Sequence, residues 1–193
     1  MKRVLYIIVA LGLMAFGLED GSSRHAVVYI ASGSSLKIGG TTNINTFTCE
    51  FNTSKMMAPI PVHYKRNGSD YIFHQADLIL DNQGFDCGSR GINRDFHDLL
   101  RSKEYPSIRL RLKEVQVDAA LSALMAKVDI EIAGYTNSYD VPIQYDQKDH
   151  MHVLGELKLS LDDFNLKAPK KVLGLITVHE TITINFDLIL RKE

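Results

Sequence analysis

Apolar and polar residues alternate along most of the chain, most regularly just before its C-terminus. Every second residue from position 182 to position 190 is apolar, and only Ile189 breaks the order. Because successive side chains of a strand point to opposite faces, this pattern predicts a strand with one apolar and one solvated face. The same period recurs after residue 34, which predicts strands that close around an apolar interior.

Eight further segments favour strands: 35–38, 45–51, 62–65, 71–80, 108–112, 126–132, 139–145 and 153–161. Asn67-Gly68 predicts a tight hairpin turn, because both residues tolerate positive φ. Residues 119–127 also suit a helix, but their continuation into an alternating segment favours a strand. Long alternating strands favour a closed barrel over an open sheet, since closure removes exposed edges.

One segment, residues 93–102, has helical periodicity instead. Phe96, Leu99 and Leu100 fall at i, i+3 and i+4. Asn93 is the predicted N-cap, and Pro106 prevents the helix from continuing. The predicted fold class is therefore all-β, an antiparallel barrel of about eight strands with one short inserted α-helix.

The N-terminus differs from the rest of the chain. Lys2 and Arg3 precede an apolar run over residues 4–16, and Gly17 follows. A positive start, a short apolar run and a small residue predict a secretory signal peptide over residues 1–17. The alternative is a retained N-terminal anchor, although the run is short for a membrane span of about 20 residues. Residues 18–33 are predicted to be a linker and residues 34–193 a single barrel domain.

The composition is that of an ordinary globular protein. The chain has 193 residues, 45% of them hydrophobic, and a net charge of -1. Its basic residues are dispersed, so we expect neither nucleic-acid binding nor stable membrane insertion, whereas a homodimer is compatible with the sequence. In an oxidising compartment the two cysteines, Cys49 and Cys87, predict a disulfide. The alternative is a pair of buried free thiols.

No catalytic or metal-binding motif is found. The nucleophile elbow, the phosphate loop and the dinucleotide fingerprint are absent, and His179-Glu180 lacks the second His of a zinc-protease motif. His150 and His152 would share a strand face, but a solvated face explains them equally well. We therefore predict no metal, no cofactor and no catalytic residues.

His74 is the polar residue that stands out in the predicted interior. It has the parity of Ile72 and Leu78, so it is predicted to point inward, where it could orient a ligand head group. A slip of one residue would turn it outward. Glu180 has the same ambiguity beside Ile182. An enzyme that acts on a hydrophobic substrate through either residue would need a polar cluster that the sequence does not contain.

Four segments together resemble the YceI-like proteins, which are secreted bacterial proteins with a lipocalin-like antiparallel barrel. They are the opening strand pair at 35–49, the helix and its Tyr-Pro-Ser-Ile exit at 93–108, the strand with its Gly-Tyr-Thr turn at 127–136, and residues 155–191 with Asp-Phe-Asn-Leu. Asn165 stands where that family usually has Gly, and Asn-Ser-Tyr at 137–139 replaces the commoner Lys-Pro-Val.

The resemblance implies a periplasmic or secreted eight-stranded barrel that binds a hydrophobic small molecule without catalysis. The implied ligand is an isoprenoid lipid, such as a prenyl quinone or a prenyl phosphate. The rival function is that of a stress-response or scaffold protein whose barrel is filled by its own side chains. Strand parity predicts these lining residues, together with His74: Leu36, Ile38, Phe47, Phe51, Ile72, Leu78, Ile108, Leu110, Val128, Ile130, Leu157, Leu159, Ile184 and Phe186.

Overall fold

The computed structural model describes residues 22–118, 123–147, 151–171 and 175–192. The predicted signal peptide lies outside these residues. Among them the strands are β1 (Arg24–Ile30), β2 (Ser35–Thr41), β3 (Thr46–Phe51), β4 (Ile60–Asn67), β5 (Asp70–Asp81), β6 (Phe85–Asp86), β7 (Ser107–Asp118), β8 (Ala123–Ile132), β9 (Tyr135–Gln147), β10 (Met151–Ser160), β11 (Lys170–Lys171), β12 (Ile176–Thr177) and β13 (Thr181–Lys192). The α-helix is α1 (Arg90–Leu99), and short 3₁₀ turns cover Thr53–Met56, Asn82–Gly84 and Leu161–Phe164.

Eight of the described strands form a closed antiparallel ring, in the order β1-β4-β5-β7-β8-β9-β10-β13, with β13 returning to β1. The ring closes where Ile30 pairs with Leu190. The predicted hairpin between β4 and β5 is present, but its two turn residues are Gly68, at φ 62°, and Ser69. Asn67, predicted as the first turn residue, instead ends β4 and pairs with Asp70. The structure thus confirms the predicted all-β, eight-stranded barrel.

The edge of β13 is shared by two strands. Its C-terminal end pairs with β1, whereas residues 183–187 pair with β2. From β2 the sheet continues outside the ring through β3 to β6. α1 follows β6 directly, so β2, β3, β6 and α1 together form a layer beside the ring.

The disulfide predicted from the two cysteines is present. Cys49 on β3 is bonded to Cys87, which lies between β6 and α1, and both residues are buried. The bond therefore ties the helix to the extension of the sheet.

α1 begins three residues before the predicted start. Ser89, rather than Asn93, is the N-cap, and its Oγ accepts a hydrogen bond from the Ile92 N–H at 3.2 Å. Asn93 has a different role, because its Oδ1 accepts a hydrogen bond from the Cys87 N–H at 2.6 Å. The predicted N-cap was wrong because Ser and Asn are both good caps, and the tertiary contact of Asn93 is not visible in the sequence.

The predicted linker over residues 18–33 is also corrected. Arg24–Ile30 is β1, a member of the ring that pairs with both β4 and β13. The barrel therefore starts about ten residues before the predicted boundary at residue 34. The strand was missed because residues 26–30 are continuously apolar and show no two-residue alternation.

No helix within the described ranges has the length and apolar character needed to cross a membrane.

Candidate functional site: the interior of the barrel

The two ends of the barrel differ in construction. We call "closed end" the end that carries α1, the β8–β9 turn and residues 161–166. The "open end" carries the β4–β5 turn, the start of β1 and the end of β13. The strands that join the two ends contribute the inward-facing side chains between them.

Aromatic and aliphatic side chains fill the closed end. Phe164 is 0% exposed, and its ring stacks on Tyr139 with the centroids 6.2 Å apart. The ring centroid of Phe85 lies 4.9 Å from that of Phe51 and 5.1 Å from that of Phe96 on α1. These contacts connect the ring, the sheet extension and the helix in one core.

Polar contacts tie the elements of the closed end together. Arg101, just after α1, donates from Nη2 to the Ala133 carbonyl in the β8–β9 turn at 2.8 Å. Asn82 is 1% exposed and donates from Nδ2 to the Ser102 Oγ and the Tyr105 carbonyl, both at 2.9 Å. These bonds fix the helix exit against the strand ends.

Tyr139 links β9 to the turn after β10. Its hydroxyl donates to Asp163 Oδ2 at 2.7 Å, while Asp163 also completes a capping box with Ser160. Burial, followed by this hydrogen bond, raises the pKa of Tyr139 well above its usual 10.0. The phenol is therefore a neutral structural donor rather than an acid–base group at neutral pH.

The conformation of Asn165 explains why this chain can have Asn where the family that it resembles usually has Gly. It adopts the left-handed conformation with φ 52° and ψ 36° that Gly takes most easily. Asn is among the few other residues that enter this region readily. Its Nδ2 also donates to the Tyr135 hydroxyl at 2.9 Å, so the substitution preserves the turn.

Small side chains occupy inward positions in the middle of the barrel. On β5 Ala76 pairs with Val62, and on β8 Ala126 pairs with Val141. On β10 the inward position is Gly155, which has no side chain. Val62, Ala76, Ala126 and Val141 are buried, and their small volumes contrast with the aromatic residues of the closed end.

Gly155 and Phe186 form a cross-strand pair on the inner wall. A Cβ on Gly155 would lie only 2.3 Å from Phe186 Cζ, so the Phe186 ring lies flat across the glycine. A side chain at position 155 would force this ring away from the wall and toward the barrel axis.

Aromatic residues line the open end. Tyr64 on β4 lies 6.0 Å from Tyr71 and 5.8 Å from Phe73 on β5, measured between ring centroids. All three are only partly buried, although they share the inward face with Val62. Half-exposed aromatic rings on an inner wall indicate an interior that is reached by solvent at this end.

A β-bulge explains why two sequence-predicted residues do not face inward. Tyr64 pairs with Phe73 and His63 with Gln75, so His74 has no cross-strand partner on β4. The bulge reverses the parity of β5: Tyr71 and Phe73 turn inward, while Ile72 turns outward. His74 is exposed, and its predicted inward position was wrong.

β7 has a matching irregularity. Leu112 pairs with Val128 and Glu114 with Lys127, which leaves Lys113 unpaired. The inward apolar positions therefore change from even to odd numbers along β7, with Val115 on the inner wall. The sequence of β5 shows a comparable change, from odd-numbered apolar residues at Tyr71 and Phe73 to even-numbered ones after the bulge. This change of parity is the signal from which the bulge could have been predicted.

The remaining predicted lining residues fall into three groups. Five face the interior of the ring and are half-buried: Leu78, Leu110, Val128, Ile184 and Phe186. Four face inward but are buried in the closed-end core: Ile108, Ile130, Leu157 and Leu159. Four lie on β2 and β3, outside the ring: Leu36, Ile38, Phe47 and Phe51. Ligand contact remains a prediction for each of them.

The other titratable residues that the sequence analysis singled out lie away from the interior. Glu180 is exposed and precedes β13, so it does not share the inward face of that strand. His152 Nδ1 lies 3.7 Å from Asp187 Oδ1, whereas His150 is outside the described residues. Among the residues that the structure describes, no group of three His, Cys, Asp or Glu side chains is arranged to hold a metal ion.

Comparisons with known proteins agree with this architecture. A family model described as the YceI-like domain matches residues 30–190. A polyisoprenoid binding domain from Saccharophagus degradans superposes with a TM-score of 0.63 at 15% identity, over 88% of this chain and 100% of that chain. Burkholderia cenocepacia BcnA superposes with a TM-score of 0.62 at 16% identity, over 83% of this chain and 98% of that chain. Among curated proteins, no sequence matches the chain.

Proposed function

Because the chain belongs to the YceI-like family, we propose that its barrel binds the apolar tail of an isoprenoid-type lipid and shields it from water. The tail would lie between the open end and the closed-end core, in contact with half-buried residues such as Leu78, Val128 and Phe186. This is a binding function without catalysis. The solved domain from Saccharophagus degradans, described as polyisoprenoid binding, supports the proposed ligand class.

The observation that carries the proposal is the small inward side chains in the middle of the barrel. A barrel filled by its own residues would need bulk where this chain has Ala76, Ala126 and Gly155. An eight-stranded barrel is wide enough either to be filled by side chains or to hold one small ligand. The inner wall of this barrel favours the second arrangement.

Burial of methylene groups supplies the binding energy in this proposal. Each CH₂ moved from water to an apolar interior contributes about 0.8 kcal/mol. Several isoprene units therefore bind with few polar contacts, and the aliphatic inner wall provides matching surface. No charged residue of the closed-end core is required for this mechanism.

Export to the periplasm or beyond the cell is part of the same proposal. The predicted signal peptide over residues 1–17 and the Cys49–Cys87 disulfide support it, because such bonds persist in oxidising compartments. An N-terminal sequence of the protein purified from its host tests this point. Cleavage near residue 17 is expected, and an intact Met1 would contradict it.

Native mass spectrometry of the protein from its own host, with lipid extraction of the same sample, tests the binding function. We expect an adduct of several hundred daltons that appears in the apolar extract. An apo mass together with no uptake of added prenyl lipids would instead support a scaffold with a self-filled barrel. The Gly155→Val variant should carry less of the adduct than the wild type, whereas Gly39→Val should keep it, because Gly39 lies on the outward face with 3.7 Å to the nearest atom.

A further inference from the structure

Two histidines from distant parts of the chain face each other on the outer wall of the barrel. His25 on β1 is the cross-strand partner of His63 on β4. Their ring centroids lie 4.1 Å apart, with an angle of 72° between the ring planes. The neighbouring pair, Ala26 and Val62, has the inward parity, so the two imidazoles lie on the opposite side of the sheet. His25 is exposed and His63 is half-buried.

The ring nitrogens of this pair are available to a ligand. Among the described residues neither imidazole takes part in a hydrogen bond or an ion pair, and each contacts the other ring. His97 differs, because its Nε2 lies 3.1 Å from the Asn82 carbonyl oxygen. His179 differs in the same way, because its Nδ1 lies 2.7 Å from Thr41 Oγ1.

The separation of the two rings fits two ligands of one metal ion. An imidazole nitrogen binds Zn²⁺ at about 2.0 to 2.1 Å, which places the centroids of two rings on the same ion about 4.5 to 5 Å apart. The observed 4.1 Å differs from this by less than about 1 Å. Because the torsion that turns an imidazole ring is broad, rotation of the rings brings one nitrogen of each to a common ion without a change of backbone.

The residues around the pair favour a transition metal over a hard cation. Gln75 on β5 pairs with His63, and Lys65 lies two residues along β4 on the same face. Neither is a carboxylate, whereas Ca²⁺ and Mg²⁺ bind mainly through carboxylate and carbonyl oxygens. Imidazole nitrogens suit Zn²⁺, Cu²⁺ and Ni²⁺ instead. The positive charge of Lys65 also opposes any cation that is held by electrostatic attraction alone.

The position of the pair in the ring gives a bound metal a structural role. β1 pairs with β13 only over residues 28–30, whereas residues 24–27 of β1 pair with β4 alone. His25 therefore lies where the first strand of the ring is held on one side. A metal ion bound by both histidines would add a second link between β1 and β4 at this point.

We propose that His25 and His63 form a binding site for a divalent transition metal of the Zn²⁺, Cu²⁺ and Ni²⁺ class, and that the bound ion fastens β1 to β4. The site lies on the outer wall, so it is independent of the lipid proposed for the interior. Water fills the remaining positions on the ion. The alternative role of the pair is an edge-to-face ring contact that needs no metal.

Cu²⁺ is the probe that tests the proposal, because imidazole sites bind it most strongly among these ions. It is titrated calorimetrically into the untagged protein, and electron paramagnetic resonance identifies its ligands. We expect one Cu²⁺ per chain with nitrogen hyperfine splitting, and no binding of Mg²⁺. At a hundredfold excess over Kd the melting temperature should rise by about 5 °C, because the assembled pair exists only in the folded protein.

Substitution by phenylalanine separates metal binding from the ring contact. His25→Phe and His63→Phe each keep an aromatic ring in the pair, so their melting temperatures without metal should stay near that of the wild type. Each should weaken Cu²⁺ binding at least about tenfold, since even a residue behind a metal ligand contributes that much. His179→Gln is the matched control, because it removes a histidine from outside the pair and should keep the affinity.

Three results would overturn the site: no Cu²⁺ binding by the wild-type protein, unchanged affinity in His63→Phe, or equal losses in the pair variants and in His179→Gln. The last would assign the ion to scattered histidines. A rise in melting temperature that persists in His63→Phe would equally contradict a link between β1 and β4. Circular dichroism verifies that each variant is folded, and His25→Gln, at the exposed position, repeats the test without the bulk of a phenyl ring.

Discussion

The closed end and the open end of the barrel are built on the same alternating strands but have opposite packing. Phe164 at the closed end is 0% exposed and stacks on Tyr139. Phe73 at the open end also faces inward, yet it is only partly buried beside Tyr64. The first phenylalanine is part of a completed core, and the second has a neighbour on one side and accessible space on the other.

This difference separates stability from binding along a single barrel. The disulfide, α1 and most buried side chains concentrate at the closed end, so a change there should lower the free energy of unfolding. At the open end the inward side chains lack full burial, so a change there should affect the ligand more than the fold. Four experiments test this division.

Truncation of one phenylalanine at each end has the largest expected contrast. Phe164→Ala should lower the free energy of unfolding by about 3 to 5 kcal/mol, because it leaves a cavity in a packed core. Phe73→Ala should cost about 1 to 2 kcal/mol, since only part of its ring is buried, and should weaken lipid binding. Urea denaturation measures both variants. Equal losses would show that the two ends are packed alike.

Removal of the disulfide is the next test of the closed end. Cys49→Ala with Cys87→Ala opens a loop with a sequence separation of 38, which should cost about 3 to 4 kcal/mol on the chain-entropy estimate. Lipid affinity should remain unchanged once the variant is folded, because the bond lies outside the ring. Calorimetric melts and lipid titrations measure the two effects, and a large loss of affinity with little change in melting would argue against the division.

The sequence predicted the strands with regular alternation and the overall barrel. Residues 182–190 indicated β13 directly, and Asn67-Gly68 indicated the hairpin between β4 and β5. Helical spacing likewise located α1, although the cap was assigned to Asn93 instead of Ser89. These features depend on neighbouring residues, which is why a single sequence was sufficient for them.

The features that a single sequence did not reveal depend on exceptions to alternation and on contacts between distant residues. The bulge at His74 reverses the inward parity of β5, so Ile72 and His74 were assigned to the wrong face. β1 was missed because its apolar run does not alternate. The two ends of the barrel differ through contacts such as Tyr139 on Phe164, which strand parity alone does not predict.

Filling the middle of the barrel should affect binding more than stability. Gly155→Val should push the Phe186 ring toward the axis and displace about two methylene groups of a ligand, which at about 0.8 kcal/mol each is roughly a tenfold loss of affinity. If the interior has room, the free energy of unfolding should fall by less than about 1 kcal/mol. Gly39→Val is the control for the loss of glycine in a strand. A loss of several kcal/mol in Gly155→Val alone would indicate an interior that is already filled.

The smallest expected effect concerns the phenol that joins β9 to the closed-end turn. Tyr139→Phe removes the hydrogen bond to Asp163 and should cost about 1 kcal/mol at neutral pH. Because the folded-state pKa of Tyr139 is raised, the unfolded chain loses this proton first as the pH rises. The contribution of the neutral phenol is therefore complete below the unfolded pKa of about 10 and is lost as the pH rises toward the folded-state pKa.

Urea midpoints of the wild type and Tyr139→Phe between pH 8 and about pH 11 should therefore converge as the pH increases. Tyr64→Phe serves as the open-end control, because that phenol has no hydrogen-bond partner among the described residues, and it should follow the wild type across the same range. A constant difference between Tyr139→Phe and the wild type would contradict the raised pKa. The same result in both variants would show that this hydrogen bond does not distinguish the closed end from the open one.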